Sequence, residues 1–166
     1  MLCALEAISL GEPSKGAVSD EEVIIRVSYD PLHYNKSGAL KSNVIRISHL
    51  IDGELSVWRL PEAQKDQDDL KQKLQEEKPD GQNVRGLAEL SVQDIRKMKS
   101  QAGLRLFCIR DDTVIDLDGK KHHLHASIAF CASLGAEYKN KETDEFIYAR
   151  DLLYNYVKNR LIEQAA

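Results

Sequence analysis

The chain has 166 residues, 42% of them hydrophobic and 30% charged, with a formal net charge of −4. That length suits one domain able to bury roughly 70% of the surface its unfolded form exposes. The acidic balance argues against a general nucleic-acid coat, no apolar run approaches a membrane span, and the start of the chain lacks the basic region of a signal peptide.

Residues 10–20 hold two Gly, one Pro and two Ser and read as a loop. Val23, Ile25, Val27 and Tyr29 then alternate with Ile24, Arg26 and Ser28, the two-residue period of a strand, which Asp30-Pro31 closes. Residues 32–42, with His33, Tyr34, Asn35 and Ser37-Gly38, read as a loop. In residues 43–50, Val44, Arg46 and Ser48 oppose Ile45, Ile47 and His49, which predicts a second strand. Asp52-Gly53 is a turn signal between two apolar runs, and Leu55, Val57 and Leu60 favour a short strand with Trp58 beside it.

From Pro61 onward the composition shifts to Glu, Gln, Lys and Asp, with Leu70 and Leu74 at helical spacing. A proline at the start suits a first helical turn, and two leucines make a thin stripe, so a solvated surface helix is predicted. The same charge and lack of apolar mass also suit disorder. In both cases residues 62–83 read as a charged excursion from a single domain spanning residues 1–166.

Residues 84–90 read as a strand around Gly86. Ser91-Val92-Gln93-Asp94 is close to a capping box, and the helix it opens should continue through Met98 and stop near Gly103. Residues 104–109 read as a strand with Leu104, Leu106 and Cys108 on one face. Residues 113–117 and 120–128 flank Asp118-Gly119, predicting a hairpin with a type I′ turn. Residues 129–134 fit either a buried helical turn or the end of a strand. Thr143 is a good N-cap, Asp144 and Glu145 suit the first turn, and Phe146, Ala149, Leu153, Tyr156, Val157 and Leu161 form one apolar stripe. The fold class expected is α+β, a mainly antiparallel sheet with surface helices and a long C-terminal amphipathic helix.

Cys3, Cys108 and Cys131 are odd in number and far apart in sequence. They predict buried reduced thiols in a cytoplasmic protein, with no disulfide framework and no CxxC motif.

Three of the five histidines fall in Lys121-His122-His123-Leu124-His125-Ala126-Ser127. On a strand, His123, His125 and Ser127 share one face, and Leu124, Ala126 and Ile128 point to the core. Such a row could line a cleft, with His125 and His123 as catalytic candidates and Ser127 as a ligand-binding one. The plainer reading is the solvent face of a half-buried strand. A metal centre needs three or four ligands; the rest of a set cannot be placed, so no metal and no cofactor are assigned. Arg26, in mid-strand, is a second ligand-binding candidate, because its planar fork matches phosphate or carboxylate. Its plainer reading is a solvent-facing charge whose stem covers apolar surface. No P-loop, G-x-G-x-x-G, G-x-S-x-G or H-E-x-x-H occurs.

Two resemblances bear on these residues. His125-Ala126-Ser127 is similar to half of the His-x-Ser/Thr pair of the two-histidine phosphoesterases, but neither His33-Tyr34-Asn35 nor His49-Leu50-Ile51 supplies the other half. More of the chain resembles a family of small bacterial proteins with the ordered pattern xLYRRI, LSV, GLA…AGDIR and PAHAxI. The matching segments run from Glu22 to Val27, Glu54 to Val57, Gly86 to Arg96 and His125 to Ile128. Ile25 stands in place of the Tyr, Val27 of the Ile and Leu124 of the Pro. The resemblance implies a bacterial origin and equivalent roles for Arg26, Ser56, Asp94, Arg96 and His125, with no assigned activity. An LYR opening also resembles ADP-ribosyltransferase-like folds; the missing Tyr leaves NAD binding without its aromatic.

Two functions follow as expectations. The first is a small cytoplasmic bacterial accessory or binding protein that works through contacts with another protein, with no membrane or nucleic-acid partner. The second is a small hydrolase or transferase acting on a phosphorylated or nucleotide ligand, using His125 with His123 and holding the anion on Arg26. Whether the chain is an enzyme turns on geometry: His125 and Arg26 in one concave pocket would favour the second.

Overall fold

A computed structural model describes Glu6 and residues 15–112, 114–115, 121–131 and 143–164. Its centre is a six-stranded sheet in the order β4-β7-β2-β1-β3-β8. The strands are β1 (Val23–Asp30), β2 (Leu55–Arg59), β3 (Asn83–Ser91), β4 (Phe107–Asp111), β7 (His125–Phe130) and β8 (Leu161–Glu163). Every neighbouring pair is antiparallel. The short strands β5 (Val114–Ile115) and β6 (Lys121–His122) pair with each other apart from it. Four helices complete the fold: α1 (Ile47–Asp52), α2 (Gln64–Glu76), α3 (Val92–Lys97) and α4 (Asp144–Arg160). The α+β class and the long C-terminal helix are as the periodicity predicts, and among the described residues no helix is long and apolar enough to cross a membrane.

Both faces of the sheet are covered. On one, Ile24, Leu55, Val57, Leu90, Ile109 and Ile128 pack with Ile47 and Leu50 of α1, Val92 and Ile95 of α3, and Phe146, Ala149, Leu153 and Val157 of α4. On the other, Ile25, Val27 and Leu87 meet Leu70 and Leu74 of α2. Burying a large aliphatic side chain stabilises by roughly 1.5–3 kcal/mol, so these two leucines are enough to seat α2. The charged segment is thus an ordered roof, with both leucines 5% exposed.

Helix α4 begins where expected, with Thr143 Oγ1 accepting from Phe146 N at 3.4 Å. It runs directly into β8, so Leu161 leaves the predicted helical stripe and pairs with Ala88. That pairing explains Gly86: a Cβ there would lie 2.7 Å from Leu161 Cδ1 and 2.8 Å from Ser28 Oγ. Ser91 caps α3 through its Oγ, accepting from Asp94 N. The return arm of the predicted box comes from elsewhere. Tyr156 Oη accepts from Ser91 N and donates to Asp94 Oδ2. The helix ends at Lys97, short of Gly103, because residues 98–106 turn back through a Lys99–Arg105 bridge.

Three further expectations fail. Residues 43–50 are not a strand: Ser42–Val44 is a 3-10 turn and α1 follows. Ile47, Leu50 and Ile51 have the i, i+3, i+4 spacing of a helix face, and burial of Ile47 and Leu50 in the core that α1 shares with β7 and α4 decides for the helix. Gly53 at φ 72° is therefore a left-handed helix cap, its N–H donating to His49 O, and not a hairpin turn. Cys108 is disulfide-bonded, against the expectation of three reduced thiols, whereas Cys131 is a free buried thiol pushed up to about 11 by burial. Sequence spacing cannot reveal a bridge between distant cysteines that the fold brings together. The predicted Asp118-Gly119 turn lies outside the described residues, although β5 and β6 pair on either side of it.

Candidate functional site

The histidine row is not a surface. His125 and Ser127 share a face of β7, opposite Trp58 and Ser56 of β2, as the two-residue period requires. That face is covered: His125 is 5% exposed and Ser127 fully buried. His123 sits in the exposed turn before the strand, and the predicted continuous strand from residue 120 is broken there. Ala126 and Ile128 join the larger core, while Leu124 packs on the α2 side. The His125 ring stands edge-on to Trp58 at 5.1 Å, with His122 doing the same at 5.3 Å. His125 Nδ1 lies 2.5 Å from Asp112 O, and burial lowers its pKa. This is a packed imidazole that holds the indole in place. His122 and His123 line a cavity of about 330 Å³ beneath α2, together with Trp58, Lys73 and Glu77.

Arg26 occupies a different place. Strands β1 and β2 pair through Ile24↔Arg59 and Ile25↔Trp58, and Leu60 N donates to Val23 O beyond them. From Arg26 onward they part. β1 continues its ladder with β3 to Asp30↔Asn83, while β2 keeps β7 back to Leu55↔Ile128. The guanidinium fills this fork. Nη1 donates to Ser56 O at 2.7 Å, replacing a ladder amide, and Nε and Nη2 donate to Val44 O at 3.1 and 2.8 Å. Arg26 is 8% exposed and, among the described residues, no carboxylate contacts it. Burial lowers its pKa to about 10. The expected solvent-facing strand charge is therefore a buried one, because α1 and the 3-10 turn cover that face of β1.

The fork opens into a cavity of about 270 Å³. Arg26 lines it from β1 with Tyr29; Ser56 and Trp58 line it from β2; Asn43, Arg46 and His49 come from the 3-10 turn and α1; Gln82 closes it from the loop before β3. His33 reaches it from the turn after the cis Asp30-Pro31 bond. Its Nδ1 accepts from Tyr29 N at 3.0 Å, which leaves the ring proton on Nε2. Burial, then the charges of Arg26 and Arg46, push His33 down to about 3, and the same causes lower His49. The field in the fork is positive, with exposed Glu54 the one acidic side chain among its described lining residues. Two buried acceptors there, Asn43 Oδ1 and Gln82 Oε1, lack hydrogen-bond partners among the described residues.

The structure thus separates the sequence candidates. Arg26 lines the fork; His123 lines the cavity under α2; His125 and Ser127 lie in packing between them, with Trp58 a wall of both cavities. Of the residues picked out by the bacterial-family resemblance, Arg26 meets Ser56 at the fork. Arg96 is tied into a buried network with Glu6 and Asp20, and Asp94 pairs with Tyr156. The sequence reading missed Asn43, Arg46, His49 and Gln82 as site residues. The one available signal was Arg46 with His49, three residues apart, which share a helical face but not a strand face. Among the described residues, no three His, Cys, Asp or Glu side chains are grouped to hold a metal ion. No protein-family model, curated protein or solved structure matches the chain.

Proposed function

We propose that the protein binds a small molecule carrying a phosphate or carboxylate group in the fork between β1 and β2. The observation that carries this reading is the Arg26 guanidinium. It is buried, faces a cavity and, among the described residues, meets carbonyl oxygens and no carboxylate, using three of its N–H bonds. A guanidinium has five N–H donors, so two are uncommitted. Taking a charge out of water is expensive unless an opposite charge meets it. An anion in the fork would meet that need, gaining roughly 1.5–3 kcal/mol per charge-assisted hydrogen bond. Arg46 at the exposed mouth adds attraction for the approaching anion.

Binding is better supported than catalysis. His33 has its Nδ1 occupied by a backbone amide and stays neutral, and His125, the expected acid or base, does not line the fork. The reading of a protein-contact module has less to stand on. Among the described residues, the exposed large apolar side chains are dispersed, Leu104 in the loop before β4, Tyr148 on α4 and Ile162 on β8, and the apolar stripe of α4 lies in the core.

Trp58 is the single tryptophan of the chain and a wall of the fork, so its fluorescence reports entry. Titration with pyrophosphate should give a saturable change. Arg26→Met should weaken it at least about tenfold, and Arg46→Gln by about fivefold or less. No saturable change, or binding indifferent to Arg26→Met, would overturn the reading.

A further inference from the structure

Four buried side-chain polar atoms lack a hydrogen-bond partner among the described residues: Asn43 Oδ1, Gln82 Oε1, Arg110 Nε and Ser127 Oγ. Two of the four line the fork, and both are amide oxygens, which only accept. Native structures leave few such atoms unpaired, so two in one cavity point to what enters it. The orientation of Asn43 is set by its surroundings. Its Nδ2 donates to Leu32 O at 3.0 Å, so turning the amide over would set oxygen against oxygen. The fork therefore offers guanidinium donors for an anion and, beside them, acceptors for hydrogen-bond donors. An ammonium group is a poor source of those donors, because the charges of Arg26 and Arg46, which line the same cavity, would repel it. Neutral hydroxyls suit the site. At about 270 Å³ the cavity is also at the small end for ligand sites.

Resting on the anion-binding reading above, we infer that the occupant is a small polyhydroxylated phosphate of the sugar-phosphate class. The phosphate sits on Arg26, and hydroxyls donate to Asn43 Oδ1 and Gln82 Oε1. Tyr29 and Trp58 supply the apolar walls against which the carbon skeleton packs.

Three probes separate this inference from the one beneath it, all read by Trp58 fluorescence. Ribose 5-phosphate has the anion and the hydroxyls, pentyl phosphate has the anion with an apolar chain of equal carbon count, and ribose has no anion. Ribose 5-phosphate should bind at least about tenfold more tightly than pentyl phosphate, as expected for two neutral hydrogen bonds. Gln82→Met should shrink that ratio by about threefold; the Gln82 backbone bond to Pro79 O survives the change. Pentyl phosphate binding as well as ribose 5-phosphate would overturn the hydroxyl assignment while keeping the anion site. Ribose binding as well as its phosphate, or neither phosphate binding, would overturn the anion reading and this inference with it.

Discussion

The β1–β2 seam has a closed end and an open end, and each holds a buried arginine. At the closed end Arg59 meets Glu22 through two bonds of 2.7 Å and Asp111 at 2.9 Å, and donates to Gly16 O. Burial alone would lower its pKa, but Glu22 and Asp111 raise it above its ordinary value. At the open end Arg26 meets, among the described residues, carbonyls only, and burial lowers its pKa to about 10. The two side chains lie on neighbouring strands, both buried. Their difference is in the partners: Arg59 has its countercharges within the fold, and Arg26 has none among the described residues. A closed ion cluster locks strands together; an arginine left facing a cavity keeps the capacity to hold something else.

The largest effect that sharpens this contrast comes from removing each charge in turn. Arg59→Met leaves Glu22 and Asp111 without their cation and should cost about 3–5 kcal/mol in urea unfolding. Arg26→Met removes a buried charge that has no countercharge among the described residues and should change stability by about 1 kcal/mol or less, the lost bonds to Ser56 O and Val44 O being offset by the desolvation relieved. Equal losses would make Arg26 a structural tie like Arg59. Next in size is the roof over the seam. Leu74 is 5% exposed and packs in the cluster of Ile25 and Val27, so Leu74→Ala should cost about 2–4 kcal/mol. A loss below about 0.5 kcal/mol would return α2 to the status of a detached excursion.

The smallest effect is the pH dependence, and the two ends should differ in its range. At the open end the folded state holds His33 near 3, below its ordinary 6.5, so between those values the unfolded chain takes up a proton that the fold refuses. Stability from this source is complete above about pH 6.5 and falls as pH drops toward 3; lowered His49 and His125 act with the same sign. At the closed end Glu22 is lowered: burial raises it, but the Arg59 hydrogen bond and its neighbours outweigh that. Its contribution is present above its ordinary 4.5 and is lost as pH falls below it. Chemical denaturation from pH 7 to 5 should therefore show a slope that His33→Gln reduces and Glu22→Gln leaves alone. A slope unchanged by His33→Gln would show that the ring is not held neutral by the fork.

Much of the architecture is local and was legible. The Thr143 cap and the Phe146, Ala149, Leu153, Val157 stripe define α4, Ser91 opens α3, and the alternation from Val23 to Tyr29 marks β1. Each is set by neighbours within about a helical turn or a pleat, so the chain alone determines it. What surrounds those elements is not local. Period two placed His125 and Ser127 on one face of β7 but could not tell that a second layer covers it. The same alternation in residues 43–50 fits a strand, and burial against β7 and α4 decides for a helix. Arg26 was visible as a possible anion ligand. Its burial, its carbonyl partners and its company of Asn43, His33, His49 and Gln82 depend on two strands parting after two residue pairs. Periodicity reports which side chains share a face; only the packing of distant segments decides whether that face meets water, a core or a cavity.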